Sequence, residues 1–211
     1  MKFHLEGLSS TQIKILRSAG RILSDRGFYL GGGTALAIYF GHRASVDLDW
    51  FLPTALGDPL VMAASLHSAG LAFTTTQTGP GTLHGTIAGV RVSFLEFRYP
   101  LLRPLTLWKE MGCSLASLDD LACMKLSAIA QRGERKDFCD LYVLGTKHGS
   151  LREMLQLYRR KFNVQDISPV LYGLSYFDEA ERERMPRMLS KVPWSMIKKT
   201  IEGWVKELGH A

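Results

Sequence analysis

A chain of 211 residues with 46% hydrophobic and 22% charged residues can bury a substantial core, as one large domain or two small ones, which excludes a disordered polymer. The formal net charge of +6, from 26 basic against 20 acidic residues, is compatible with a polyanionic partner such as RNA, yet no recognisable RNA-binding module accompanies it. Cys113, Cys123 and Cys139 lack the spacing of a zinc site or a disulfide framework and read as reduced small hydrophobes, while the absence of an apolar leader or membrane-length run predicts a cytoplasmic protein without membrane contact.

The chain opens with a helix over Leu8–Arg26, capped by Ser9 or Ser10, with Ile13, Leu16, Ala19 and Leu23 at helical spacing and Gly27 after its end. Phe28-Tyr29-Leu30 reads as a short strand, Gly31-Gly32-Gly33 as a turn, and Thr34–Phe40 as a buried helix. A strand follows over Val46–Phe51. After a loop at Pro53–Gly57, Asp58 caps a helix that has Pro59 at its first position and runs to about Ser68. Phe73–Gln77, Thr82–Ala88 and Val90–Phe97 alternate as strands, with turn signals at Gly79-Pro80-Gly81 and Ala88-Gly89. Tyr99–Pro104 holds two prolines and marks the expected domain junction. Beyond it nearly everything reads as helix, over 117–132, 134–147, 151–162, 168–180 and 193–208. The fold class is therefore α+β: a mixed sheet with helices over residues 1–104, then a helical bundle over 105–211.

The chemistry centres on Ser45-Val46-Asp47-Leu48-Asp49-Trp50. On a strand, alternate side chains share a face, so Asp47 and Asp49 stand side by side with Ser45 while Val46, Leu48 and Trp50 enter the core. Asp is depleted from buried strands, and two carboxylates roughly 6.5–7 Å apart along the backbone can serve one hard cation or a pair. The glycine turn at the start of the following helix offers backbone N–H groups and a positive helix end to a phosphate. Such a turn alone equally serves tight chain reversal; the paired carboxylates tip the reading toward phosphate chemistry.

Gly-Gly-Thr-Ala-Leu-Ala from Gly32 to Ala37, then His42-Arg43-x-Ser45-x-Asp47-Leu48-Asp49, resembles the AbiEii/AbiGii toxin family of the DNA polymerase β-like nucleotidyltransferase superfamily. A second block, Leu118–Ile129 through Arg132 to Arg135-Lys136-Asp137-Phe138-Cys139-Asp140, resembles that family's later motif, in the family's order. The resemblance implies a nucleotidyltransferase that takes an NTP with Mg²⁺, or Mn²⁺ as the alternative. It further implies a toxin with a cognate antitoxin and tRNA or another RNA as acceptor. A small-molecule acceptor and a catalytically silent nucleotide- or RNA-binding module are the competing readings.

The resemblance implies Asp47 and Asp49 as metal ligands and catalytic residues, and Lys125 and Asp137 as further active-site residues. Gly32, Gly33, Thr34, Arg43, Ser45, Arg132 and Asp140 are the candidate nucleotide-binding residues, Ser45 also being a candidate acceptor of a nucleotide-derived modification. Lys125 lies in an apolar stretch, where an unpaired ammonium is costly. Asp137 and Asp140 are available to orient Lys125 or Arg132, or to stabilise the bundle. The superfamily's third carboxylate is expected on the strand over Val90–Phe97, where this chain has Ser93; Glu96 falls on the opposite face unless a bulge intervenes. The general base and the number of metals stay open. Trp194, Trp204, Tyr172 and Tyr176 read as bundle core, and Arg159-Arg160-Lys161 with Lys198-Lys199 as solvated faces where an RNA path would be sought first.

Overall fold

The structure, a computed structural model, describes residues 2–209. Helix α1 (Ser10–Asp25) starts at a reciprocal cap: the Ser9 hydroxyl accepts from the Gln12 N–H, and the Gln12 side chain accepts from the Ser9 N–H. Strand β1 (Tyr29–Leu30), helix α2 (Gly32–Phe40), strand β2 (Asp47–Leu52) and helix α3 (Pro59–Ser68) follow, α3 being capped by Asp58. Strands β3 (Phe73–Gly79), β4 (Thr82–Ile87) and β5 (Val90–Glu96) form an antiparallel meander. Two short strands, β6 (Thr106–Trp108) and β7 (Cys113–Leu115), precede helices α4 (Leu118–Gln131), α5 (Arg135–Lys147), α6 (Leu151–Phe162), α7 (Ser168–Ser175), α8 (Asp178–Arg182) and α9 (Trp194–Leu208).

The seven strands make one mixed sheet, ordered β3-β4-β5-β2-β1-β7-β6, in which β2 runs parallel to β5 and β1 parallel to β7. This sheet with its following helices is the α+β architecture expected. Leu48 and Trp50 on β2 and Val92 and Phe94 on β5 are buried on one face. Each fully buried aliphatic or Phe side chain contributes about 1.5–3 kcal/mol, so this layer fixes β2 beneath the carboxylates on its other face. One apolar cluster runs from Ile15 on α1 through the sheet to Ile201 on α9, so the sheet and the helices share a core.

Several expectations change. Strands β6 and β7 lie beyond the junction expected at 99–104 and complete the sheet; three residues each is too short for a periodic signal, and their identity comes from pairing with β1 and with each other. The helix expected over 168–180 breaks at Tyr176 and Phe177 into α7 and α8. Val46 precedes the strand and is 64% exposed instead of entering the core. Tyr172 and Tyr176 are exposed and stack on each other at 5.6 Å, outside the core. Lys161 is buried rather than solvated, with its Nζ 2.6 Å from Asp120 and 2.8 Å from the Pro100 carbonyl. This pair ties α6 to α4 and to the 99–104 segment. Lys198, on the other expected basic face, pairs with Glu181. The cysteines are free and buried, and burial pushes each thiol up to about 12. Among the described residues no helix is long and apolar enough to cross a membrane.

Candidate active site

Helix α2 begins directly behind β1, and its first turn is pressed against β2. The Gly31 N–H donates to the Asp49 carbonyl at 3.0 Å. Gly32 has φ +63°, and a Cβ there would lie 3.0 Å from Asp49 Oδ2; a Cβ on Gly33 would overlap Arg43 Nη2 at 2.3 Å. These two glycines are required by close approach and, for Gly32, by a left-handed backbone. Thr34, buried one residue on, donates to the Asp47 carbonyl and lies 2.7 Å from Ser45 Oγ. The glycine turn, Thr34 and Ser45 thus brace the start of β2.

Asp47 and Asp49 share the open face of β2. Asp47 is about a third exposed and meets the exposed Arg91 at 2.6 Å. Asp49 is partly buried: desolvation raises its pKa, Ser93 opposes the rise, and the nearby Asp47 charge adds to it. In the parallel register Asp49 lies opposite Ser93 and Leu52 opposite Glu96, without a bulge. Ser93 therefore occupies the position beside Asp49, and Glu96 stays on the other face, where it accepts from the Leu56 N–H.

Behind this face lies a buried ionic network. Asp140 receives a two-pronged bond from Arg43, Nε and Nη2 each at 2.7 Å, and it also meets His42 Nε2 and Lys125 Nζ at 2.7 Å. Asp137 holds Lys125 at 2.8 Å and Arg132 Nε at 3.0 Å. Burial works to raise both carboxyls, but Arg43 and Lys125 hold Asp140 well below its ordinary range, and Lys125 and Arg132 lower Asp137. Desolvation would depress Lys125, and Asp140 and Asp137 outweigh it, so its pKa rises and the ammonium stays charged. The network joins the approach to β2 with α4 and α5. The segment between α8 and α9 adds a strap: Ala44 N–H donates to the Arg187 carbonyl and Leu189 N–H to that of His42, each at 2.8 Å.

A cavity of about 690 Å³ opens over the carboxylates, lined by Gly32, Gly33, Arg43, Ser45, Asp47, Asp49, Lys125 and Arg132 among the residues expected from sequence. Thr34, Asp137 and Asp140 stand behind that lining. The wall also carries His84, Arg91, Lys136 and Arg187, which sequence reasoning did not single out. For Arg187, 138 residues after Asp49, no local pattern could have signalled it; for His84 the signal is the pairing of β4 with β5, which turn signals predict but whose register they leave open. Two carboxylates, one with its pKa raised by burial, beside a helix N-terminus with no side chain in the way have the chemistry to hold a hard divalent cation next to a phosphate. Among the described residues no group of three or more His, Cys, Asp or Glu converges on such an ion, so phosphate and water would complete its shell.

Comparison with known proteins gives the family and the fold. The profile of the AbiEii family, described as a nucleotidyl transferase toxin of type IV toxin–antitoxin systems, matches residues 14–109 and 100–203. An uncharacterized protein of Aquifex aeolicus is 40% identical over 158 residues, spanning 74% of this chain and 76% of the relative. Among solved structures, JHP933 of Helicobacter pylori superposes with a TM-score of 0.54 at 15% identity, covering 96% of this chain and 98% of its own. MenT4, a nucleotidyltransferase toxin of Mycobacterium tuberculosis, does so with a TM-score of 0.54 at 13% identity, covering 97% and 86%. At those identities the two structures speak for a shared fold.

Proposed function

The chain belongs to the AbiEii nucleotidyl transferase toxin family, and from that membership we propose that it moves a nucleotide from an NTP onto an RNA hydroxyl, with tRNA the foremost acceptor. The observation that carries this reading is the pair Asp47 and Asp49, set against the side-chain-free start of α2 in a cavity of nucleotide size. In this reading Asp47 and Asp49 hold Mg²⁺, or Mn²⁺, which when bound neutralises triphosphate charge and stabilises charge developing in transfer. The N–H groups at Gly32 and Gly33 take phosphate oxygens at the helix end. Residues 1–104 carry the metal-binding and phosphate-binding groups, and residues 105–211 supply Lys125 and Arg132 across the cleft.

Lys125 presents a charge to the triphosphate, and Asp137 and Asp140 aim it from behind. Arg43 is committed to Asp140 and acts by shaping the wall beside Ser45. The rim cations Arg91, Lys136 and Arg187 suit a polyanionic acceptor better than a small neutral one, which favours RNA over small-molecule transfer. The protein would act in the cytoplasm as the toxin of a toxin–antitoxin or phage-defence pair, restrained by its antitoxin. Incubating purified protein with each α-labelled NTP, Mg²⁺ and total cellular RNA tests this: label should appear in RNA with at least one NTP. Label in small molecules alone would overturn the acceptor, and nucleotide binding without any transfer would make the chain a silent module.

A further inference from the structure

Ser93, beside Asp49, has no acid–base capacity near neutral pH, but its other neighbour does. His84 on β4 lies opposite Ser93 in the antiparallel register, with Nδ1 3.1 Å from Ser93 Oγ, and Ser93 lies opposite Asp49 on β2. Three side chains therefore form a row across three strands on the cavity face. Ser93 Oγ stands between the other two in the row, and its contact with the ring holds His84 by Nδ1. With Nδ1–H donating to Ser93 Oγ, the imidazole is in the tautomer whose Nε2 carries the lone pair. Nε2 has no hydrogen-bond partner among the described residues, and His84 lines the cavity.

We propose that His84 Nε2 is the general base that takes the proton from the acceptor hydroxyl, an inference that rests on the transfer reading above. As the acceptor oxygen bonds to the α-phosphorus, its O–H proton passes to Nε2. The bond from the α-phosphorus to the bridging oxygen breaks, and pyrophosphate leaves with the electron pair. The imidazolium then returns its proton to solvent. The ring sits in a simple electrostatic setting: β3 carries no titratable side chain and β4 no other, while Glu96 faces away. Arg91 on β5, Asp47 and Asp49 on β2, and Arg43, Lys125, Arg132, Lys136 and Arg187 around the cavity are the charged groups on its side.

Two variants test the assignment. His84→Asn places an amide N–H near the Nδ1 position, keeping a donor for Ser93, and removes Nε2; His84→Ala opens space for added imidazole. Both are assayed for folding, for thermal stabilisation by NTP with Mg²⁺, and for label transfer to total RNA across the neutral pH range. Both should fold and keep nucleotide stabilisation with KM for NTP unchanged, while kcat falls by about 10²–10⁴-fold and its pH profile loses the acid limb. Substituted imidazoles should restore transfer to His84→Ala at rates that rise with their basicity. Wild-type kcat and pH profile in His84→Asn would overturn the proposal by reducing His84 to a spacer for Ser93. Loss of nucleotide stabilisation without imidazole rescue would also overturn it, as a ligand-binding role. In both cases the transfer reading survives; a wild-type protein that labels no acceptor brings down that reading, and the proposal with it.

Discussion

Replacing Lys125 by Met separates a residue that meets substrate from one that only holds the fold. The side chain is 5% exposed, and its Nζ lies 2.8 Å from Asp137 and 2.7 Å from Asp140, both fully buried. Met keeps most of the stem's volume and removes the charge, leaving Arg43 and His42 on Asp140 and the half-exposed Arg132 alone on Asp137. Removing one partner of a buried ion pair costs about 3–5 kcal/mol, because the remaining charge stays desolvated. In a chain of this size each kcal/mol lowers Tm by about 2–4 °C, so a fall of about 6–20 °C is expected. Thermal unfolding followed by circular dichroism reads this directly, and a cycle with Asp137→Asn should recover part of the loss, since the carboxylate left behind is what destabilises. Label transfer per folded molecule, measured well below the lowered Tm, should also drop sharply as the triphosphate loses its ammonium. A Tm within a degree of wild type would refute the network argument, and a destabilised variant with full turnover would remove Lys125 from the site.

Asp49→Asn should raise Tm by a few degrees while abolishing transfer, because burial disfavours the carboxylate and the amide carries no charge to desolvate; an unchanged or lowered Tm would contradict that account. Asp140 and Asp137 have folded values below those of the unfolded chain, so their stabilisation is present above about pH 4 and is lost as pH falls through the lower folded values. Denaturant titrations should show stability falling at acid pH, and a flat profile down to pH near those folded values would refute the linkage. Gly33→Ala should destabilise the chain and cut transfer, since its Cβ would drive into the Arg43 guanidinium; a variant with normal Tm and turnover would show that the guanidinium yields freely. Expression alone should arrest growth, with the Asp47→Asn form harmless at equal abundance, and equal growth of the two strains would speak against a toxin role.

Much of the chain was legible because its signals are local. Ser9, one of the two serines expected, and Asp58 cap their helices as the local pattern predicted, since a cap involves residues two or three apart. The shared face of Asp47 and Asp49 follows from the two-residue period of a strand, and the two motif blocks, read in order, led to the family. Tertiary structure decided what depends on distant partners. Three-residue strands such as β6 and β7 exist because β1 offers an edge, and Val46 stays outside because pairing begins only at Asp47. The basic run at Arg159–Lys161 read as a solvated face, and it is the packing of α6 on α4 that buries Lys161 and brings it to Asp120. Lys125 looked costly in its apolar stretch, yet only the meeting of α4 with α5 and the approach to β2 supplies two carboxylates to keep it charged. The row from His84 through Ser93 to Asp49 joins residues 35 positions apart, and register between strands, set by packing across the whole sheet, is what puts them side by side.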